Sequence, residues 1–175
     1  REKNARTATN VSVYFRDLRN GPTFGIDSDA DYAPASLLKL PTIMAIFNES
    51  EADKRTLLSA PLKYSTIASG SMPAALQHVL STPDITEGGT YTMQDLMRNT
   101  IQFSDNLAFY TILNYMNYTK SDGPAILLRS FQELGVVDPR TPDESVVSVR
   151  QYAGLFRALY NTSYLSVEDS ETLLD

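Results

Sequence analysis

The first regular pattern in the chain begins at Val11, where Val11, Val13 and Phe15 alternate with Ser12, Tyr14 and Arg16. That period of two predicts a half-buried β-strand, with Thr23 to Ile26 as its return and Asn20-Gly21-Pro22 as the turn between them. A two-stranded hairpin is not stable alone, so it is expected to pair or pack with something else. After a polar, turn-rich stretch from Asp27 to Pro34 the period changes. Leu37, Leu40, Ile43, Met44 and Phe47 recur at helical spacing and predict a helix with one buried face. Pro41 fits that helix only if it begins very near Ser36, because an interior proline removes a backbone hydrogen bond and kinks the axis.

Further along, Ala52 to Leu58 can continue helically and Pro61 to Ile67 reads as extended or irregular. Pro73 to Leu80 is a short helix with its proline in the first turn, and Pro83 to Gly89 is a turn region. Thr92 is placed to cap a helix of about ten residues, with Asp95 at capping-box spacing and Ser104 at the helix's end. Three more helices are predicted, over residues 105–118, from Pro124 to Leu134 with Gly135 as the stop, and from Ser148 to Tyr160. No repeat or linker divides the 175 residues, and one domain of ordinary size is expected.

Composition narrows the function classes. With 42% hydrophobic and 21% charged residues the chain is ordinary for a globular protein. A net charge of −6 and the lack of clustered Lys and Arg argue against a nucleic-acid partner. There are no cysteines, which removes disulfides, thiolate metal sites and cysteine nucleophiles together. No His/Asp/Glu spacing suggests a metal site, and no apolar run approaches the roughly eighteen residues a membrane span needs. His78, the single histidine, sits in an ordinary helical context. Glu49, Glu51 and Asp53 read as a solvated helix end.

Two short motifs carry chemistry. Ser36 and Lys39 stand three positions apart at the start of a helical run, one above the other on the same face. A lysine in an apolar, partly desolvated pocket loses basicity and can accept the serine proton during attack on a carbonyl. The leucines around the pair are expected to seal that pocket. The second motif is Ser104-Asp105-Asn106, at the junction of two predicted helices. A serine hydroxyl both donates and accepts, and an asparagine amide can orient substrate and lysine together. Asp105 reads as a helix N-terminal acid that bonds backbone amides.

Ser-x-x-Lys followed some seventy residues later by Ser-Asp-Asn resembles the penicillin-recognising serine hydrolases, namely class A β-lactamases and low-molecular-mass penicillin-binding proteins. The resemblance covers roughly residues 10 to 165, including the hairpin and the helix–motif–helix segment from Tyr91 to Leu113. It implies an α/β, β-lactamase/transpeptidase-like fold, with an N-terminal hairpin of an antiparallel sheet beside a helical subdomain. It also implies an acyl-serine intermediate on Ser36, with Lys39 as general base, Ser104 as proton relay and Asn106 orienting the substrate. The implied substrates are small-molecule β-lactams, peptides or amides, with no cofactor and an extracytoplasmic location.

Two departures from the family shape the remaining expectations. No Lys-Thr-Gly type motif is present, and Lys120-Ser121-Asp122-Gly123 lies too early, between helices, to replace it. The chain therefore reads as one incomplete domain. Residues 1–35 form the hairpin and linker and 36–175 a mainly helical part. The later sheet strands and closing helix are absent, to be supplied by a second chain or by residues outside this sequence. Alone, such a fragment is expected to be inactive. The second departure is the missing Glu-x-x-Leu-Asn loop, which carries the deacylating glutamate of class A β-lactamases. The short connection from Val136 to Ser145 offers Asp138, Asp143 and Glu144, of which Glu144 is the nominee, so slow β-lactam deacylation is expected. Two other classes stay open: a serine-dependent amidohydrolase such as a glutaminase, and a non-catalytic envelope-binding or sensor domain.

Overall fold

The alternating stretch forms the expected hairpin: β1 (Val13–Arg16) runs antiparallel to β2 (Thr23–Ile26), with Val13 opposite Ile26 and Phe15 opposite Phe24. The computed structural model describes residues 8–19, 21–65, 85–136 and 146–175. Asn20 of the turn, the expected helix from Pro73 to Leu80 with His78, and the acids Asp138, Asp143 and Glu144 lie outside the described residues. The chain groups into two units, one of residues 1–35 and 132–175 and one of residues 36–131.

In the first unit the hairpin departs from its expected burial. Val13, Phe15, Phe24 and Ile26 share one face of the ribbon, yet they are 41, 56, 55 and 50% exposed. Tyr14, on the other face, is the residue with a partner: the Arg150 guanidinium lies 5.1 Å from its ring centroid. Alternation identifies the residues that share a face, whereas burial requires a second layer, and among the described residues no such layer covers this face. The rest of the unit comprises β3 (Asp31–Tyr32) paired with β6 (Val147–Ser148), α5 (Val149–Tyr160) and α6 (Val167–Leu174). Ser148 starts α5 with a capping box, its hydroxyl accepting from Gln151 N while the Gln151 side chain accepts from Ser148 N. Arg150, in the first turn of α5, donates from Nε to Asp29 Oδ1 at 2.7 Å and from Nη2 to Ser28 Oγ at 2.7 Å. The helix start is thereby tied to the segment after β2.

The second unit is built on α1 (Lys39–Ala52). Every residue from Lys39 to Phe47 is buried, so the helix is enclosed around its circumference rather than along the single face expected from the spacing. Pro41 is its third residue, in the first turn, where a missing N–H costs no intrahelical bond. The helix does not run on to Leu58: Lys54 and Arg55 take positive φ of 55° and 70°. A 3-10 turn (Leu57–Ser59) then leads to β4 (Pro61–Lys63), which pairs antiparallel with β5 (Thr90–Thr92). Thr92 begins α2 (Met93–Gln102) with the expected capping box, in which Asp95 performs the reciprocal role usually taken by Glu.

After α2 come α3 (Asn106–Asn114), a π-helical turn (Tyr115–Thr119) and α4 (Gly123–Glu133), followed by Gly135 at φ 67°, the stop read from the sequence. Ile43, Met44, Ile46, Leu96, Met97, Leu107, Ile112 and Met116 form the core of this unit. Glu49 is more than a solvated helix end, since Lys120 and Arg129 approach its carboxylate at 3.7 and 3.4 Å. No helix among the described residues is long and apolar enough to cross a membrane.

Two glycines make opposite predictions. A Cβ on Gly123 would stand 1.8 Å from the backbone oxygen of Met116, which cannot swing away as a side chain can. Gly123→Ala is expected to cost about 1–3 kcal/mol. Gly154, inside α5, has nothing within 4 Å of the same position, so Gly154→Ala is expected to gain about 0.5–1 kcal/mol from helix propensity and reduced unfolded-state entropy. Urea-denaturation midpoints of the two variants, moving in opposite directions from the parent, check both.

Candidate active site

Ser36, Lys39, Ser104 and Asn106 all belong to the second unit and come together in the structure. Ser36 is exposed on a 3-10 turn (Ala35–Leu38), and Lys39 is the first residue of α1, only 4% exposed. Ser104 occupies the break between α2 and α3, and Asn106 is the first residue of α3. The Lys39 amine meets three oxygens of the second motif: Ser104 O at 2.6 Å, Asn106 Oδ1 at 2.7 Å and Ser104 Oγ at 2.9 Å. Ser104 Oγ in turn lies 3.2 Å from Ser36 Oγ. Lys39 therefore donates to Ser104 Oγ, which donates to Ser36 Oγ, in one hydrogen-bonded line.

The Lys39 pKa is lowered from its ordinary range by burial, with the charge of Asp105 pulling the other way. Part of that enclosure is the Phe109 ring, whose centroid is 5.9 Å from Nζ. Leu37, expected to help seal the pocket, is instead 42% exposed, because its place on the 3-10 turn points it away from the buried start of α1. Phe109 stands one turn beyond Asn106 on the same face of α3, so its helical spacing was a usable signal.

The backbone at the second motif explains how one loop supplies two acceptors to the same amine. As α2 ends, Asn99 O accepts from both Phe103 N and Asp105 N, turning the chain sharply. Ser104 then takes φ 52°, a left-handed conformation usually given to glycine at a helix end. A non-glycine residue pays about 1–2 kcal/mol for it. In that conformation the Ser104 carbonyl and hydroxyl both face Lys39. Asp105 caps α3 as the sequence implied, Oδ1 accepting from Ala108 N at 3.0 Å. Its second oxygen accepts from the phenol of Tyr64 at 2.8 Å, a partner 41 residues away that no local pattern announces.

Such an arrangement can move a proton. A neutral Lys39 has two N–H bonds for Ser104 O and Asn106 Oδ1, which leaves its lone pair for the Ser104 hydroxyl. Ser104 can then accept from Ser36 as it donates to Lys39. Among the described residues no group of His, Cys, Asp and Glu is placed to hold a metal ion. Glu144 lies outside the described residues.

Comparison with known proteins places the chain in a family. Residues 2–175 match the family model described as the β-lactamase enzyme family. No curated protein matches the chain significantly. Among solved structures, PBP-A is similar at 22% identity over 93% of this chain and 59% of its own, with a TM-score of 0.69. A mutant of PBP-A, solved as an acyl-enzyme complex with penicillin G, matches at 22% identity over 90% of this chain and 58% of its own, with a TM-score of 0.67. A β-lactamase from Chitinophaga pinensis is 18% identical over 97% of this chain and 64% of its own, with a TM-score of 0.72. The chain thus spans about three fifths of the length of these structures. With its sequence matched almost end to end and its α/β fold shared with these structures, the chain belongs to the β-lactamase enzyme family.

Proposed function

We propose that the protein is a serine hydrolase that works through an acyl-Ser36 intermediate on β-lactam or peptide substrates. The observation that carries this reading is the line of hydrogen bonds from Ser36 Oγ through Ser104 Oγ to a buried Lys39 whose basicity is lowered. In the acylation step Ser36 Oγ bonds to the substrate carbonyl carbon. Its proton passes to Ser104, whose own proton passes to Lys39. As the carbon–nitrogen bond breaks, Ser104 gives its proton to the leaving nitrogen and takes one back from Lys39. Asn106 both holds Lys39 and orients the substrate amide. The acyl-enzyme with penicillin G formed by the PBP-A mutant supports β-lactams as the probe class.

The second half of the reaction is proposed to be slow. Hydrolysis of an acyl-enzyme needs a positioned general base, in class A β-lactamases a carboxylate, to deprotonate a water, and lacking such a base commonly costs about 10²- to 10⁴-fold. The connection from Val136 to Ser145 is short, carries Pro139 and Pro142, and contains no Glu-x-x-Leu-Asn pattern. Glu144 is the carboxylate proposed for whatever base catalysis there is. The β1–β2 hairpin is a two-stranded sheet, and its completion by further polypeptide, in the same chain or a second one, is part of the proposal. Extracytoplasmic placement follows the family and is part of the proposal.

Labelling of the complete protein with a fluorescent penicillin, followed by mapping of the adduct, tests the assignment. The adduct is expected on Ser36 and is expected to vanish in Ser36→Ala; an unchanged yield in that variant would sink the reading. Labelling is expected to speed up with rising pH, as neutral Lys39 accumulates, with a midpoint below the ordinary lysine value of about 10.4. Stopped-flow work with a chromogenic cephalosporin is expected to show acylation outrunning deacylation.

Ser104→Gly separates stability from chemistry. It relieves the left-handed backbone but removes one of the three oxygens on the buried Lys39 amine and loosens the unfolded chain, so the urea midpoint is expected to stay close to that of the parent. It also removes the relay hydroxyl, so the labelling rate is expected to fall by about 10²-fold or more. A variant that keeps its midpoint and its rate would show the hydroxyl to be dispensable.

A further inference from the structure

Behind the second motif lies a buried pair that the acylation scheme does not use. Tyr64 follows β4 and is 2% exposed, and Asp105 is 4% exposed. The Tyr64 backbone extends the β4–β5 ladder, its N–H donating to Gly89 O at 2.9 Å and its carbonyl accepting from Gly88 N at 2.7 Å. Its ring packs edge-on against Tyr91, with centroids 6.2 Å apart. The phenol is therefore fixed by a sheet, while its target is the residue between Ser104 and Asn106. From these contacts we infer that Tyr64, through its hydrogen bond to Asp105, is a positioning residue that sets the pH range over which Ser36 is acylated. The inference rests on the acyl-Ser36 reading.

The donor in this pair is unambiguous. Burial, and then the bond to Asp105, push the phenol well above the ordinary tyrosine range, so at working pH it is always O–H and donates to a carboxylate. Asp105 needs that donor, because a buried carboxylate left short of partners is costly. Its other oxygen is occupied by the Ala108 amide at the start of α3.

The carboxylate acts on Lys39 as the charge that opposes the effect of burial. The other described groups around the amine are uncharged: the Ser36 and Ser104 hydroxyls reached along the hydrogen-bonded line, the Asn106 amide and the Phe109 ring. From the β4–β5 side, Glu87 and Tyr91 bear on Tyr64 rather than on Lys39. The phenol draws off part of the Asp105 charge by hydrogen bonding. It therefore governs how much negative potential reaches the lysine.

Two conservative variants should move the pH profile in opposite directions. Asp105→Asn keeps the shape, with Oδ1 accepting from Ala108 and the amide donating to the Tyr64 oxygen, but removes the charge. The acid limb of the penicillin-labelling rate is expected to fall by about one pH unit. Tyr64→Phe removes the donor that draws charge from Asp105, and the limb is expected to rise by a few tenths of a unit. An activity-independent readout is the titration of the Lys39 side chain by carbon-13 NMR in the full-length protein carrying labelled lysine. Lys39→Arg identifies the resonance, and the same two opposite shifts are expected.

Parent protein that labels at Ser36 while both variants titrate like the parent would overturn this inference and leave the acyl-serine reading standing. Absence of labelling in the parent would overturn that reading, and the inference with it. Shifts of the same sign in the two variants would also overturn the inference, because a loosened loop would be acting rather than a changed field. Should Tyr64→Phe not fold, Asp105→Asn alone decides, and an unmoved Lys39 titration there is fatal.

Discussion

Removal of the Lys39 side chain from water is the constraint on which the rest of the site depends. An ammonium at the start of a helix enclosed on all sides is costly in its charged form and must have its hydrogen-bonding capacity met. The Ser104–Asn106 loop meets it with three oxygens between 2.6 and 2.9 Å. Burial supplies the lowered basicity, the loop supplies direction, and together they leave one lone pair for one hydroxyl. Ser36 can then remain exposed while the lysine stays dry.

That arrangement requires a strained loop and a buried acid to hold it. A serine in a left-handed helix-end conformation is tolerated because the surrounding structure over-determines it, and strain of this kind gathers where geometry serves chemistry. Asp105 anchors the loop twice, to the first turn of α3 and to a tyrosine carried by a sheet. The capping role is common to many helices. The tyrosine bond makes the cap part of the electrostatics of the site as well as of the helix.

The other unit is organised by different contacts. Arg150 ties the start of α5 to Ser28 and Asp29 and lies over Tyr14, but its ion pair with Asp29 is solvent-exposed and contributes little. The hairpin presents Val13, Phe15, Phe24 and Ile26 as a continuous apolar face, which is the character of a sheet built to be covered.

Local chemistry made much of this legible in the residues alone. The hairpin, the Thr92 capping box, the α2–α3 break at Ser104, the Gly135 stop and the Ser148 start of α5 are each specified within a few positions, where turn geometry and capping act. Ser36, Lys39, Ser104 and Asn106 were legible as candidates because their two motifs together resemble those of the penicillin-recognising serine hydrolases, the Ser-x-x-Lys spacing alone being a common pattern. Elements of two or three residues, such as β3, β5 and β6, carry too little periodicity to be read, and α6 had a start signal at Ser166 that went unread. What encloses each element was decided by the tertiary structure. Periodicity predicted one buried face for α1 and a buried face for β1, whereas α1 is surrounded and the β1 face is open. The Tyr64–Asp105 bond belongs to the same class: a contact spanning 41 positions arises from packing, and neither residue's neighbours in the chain encode it.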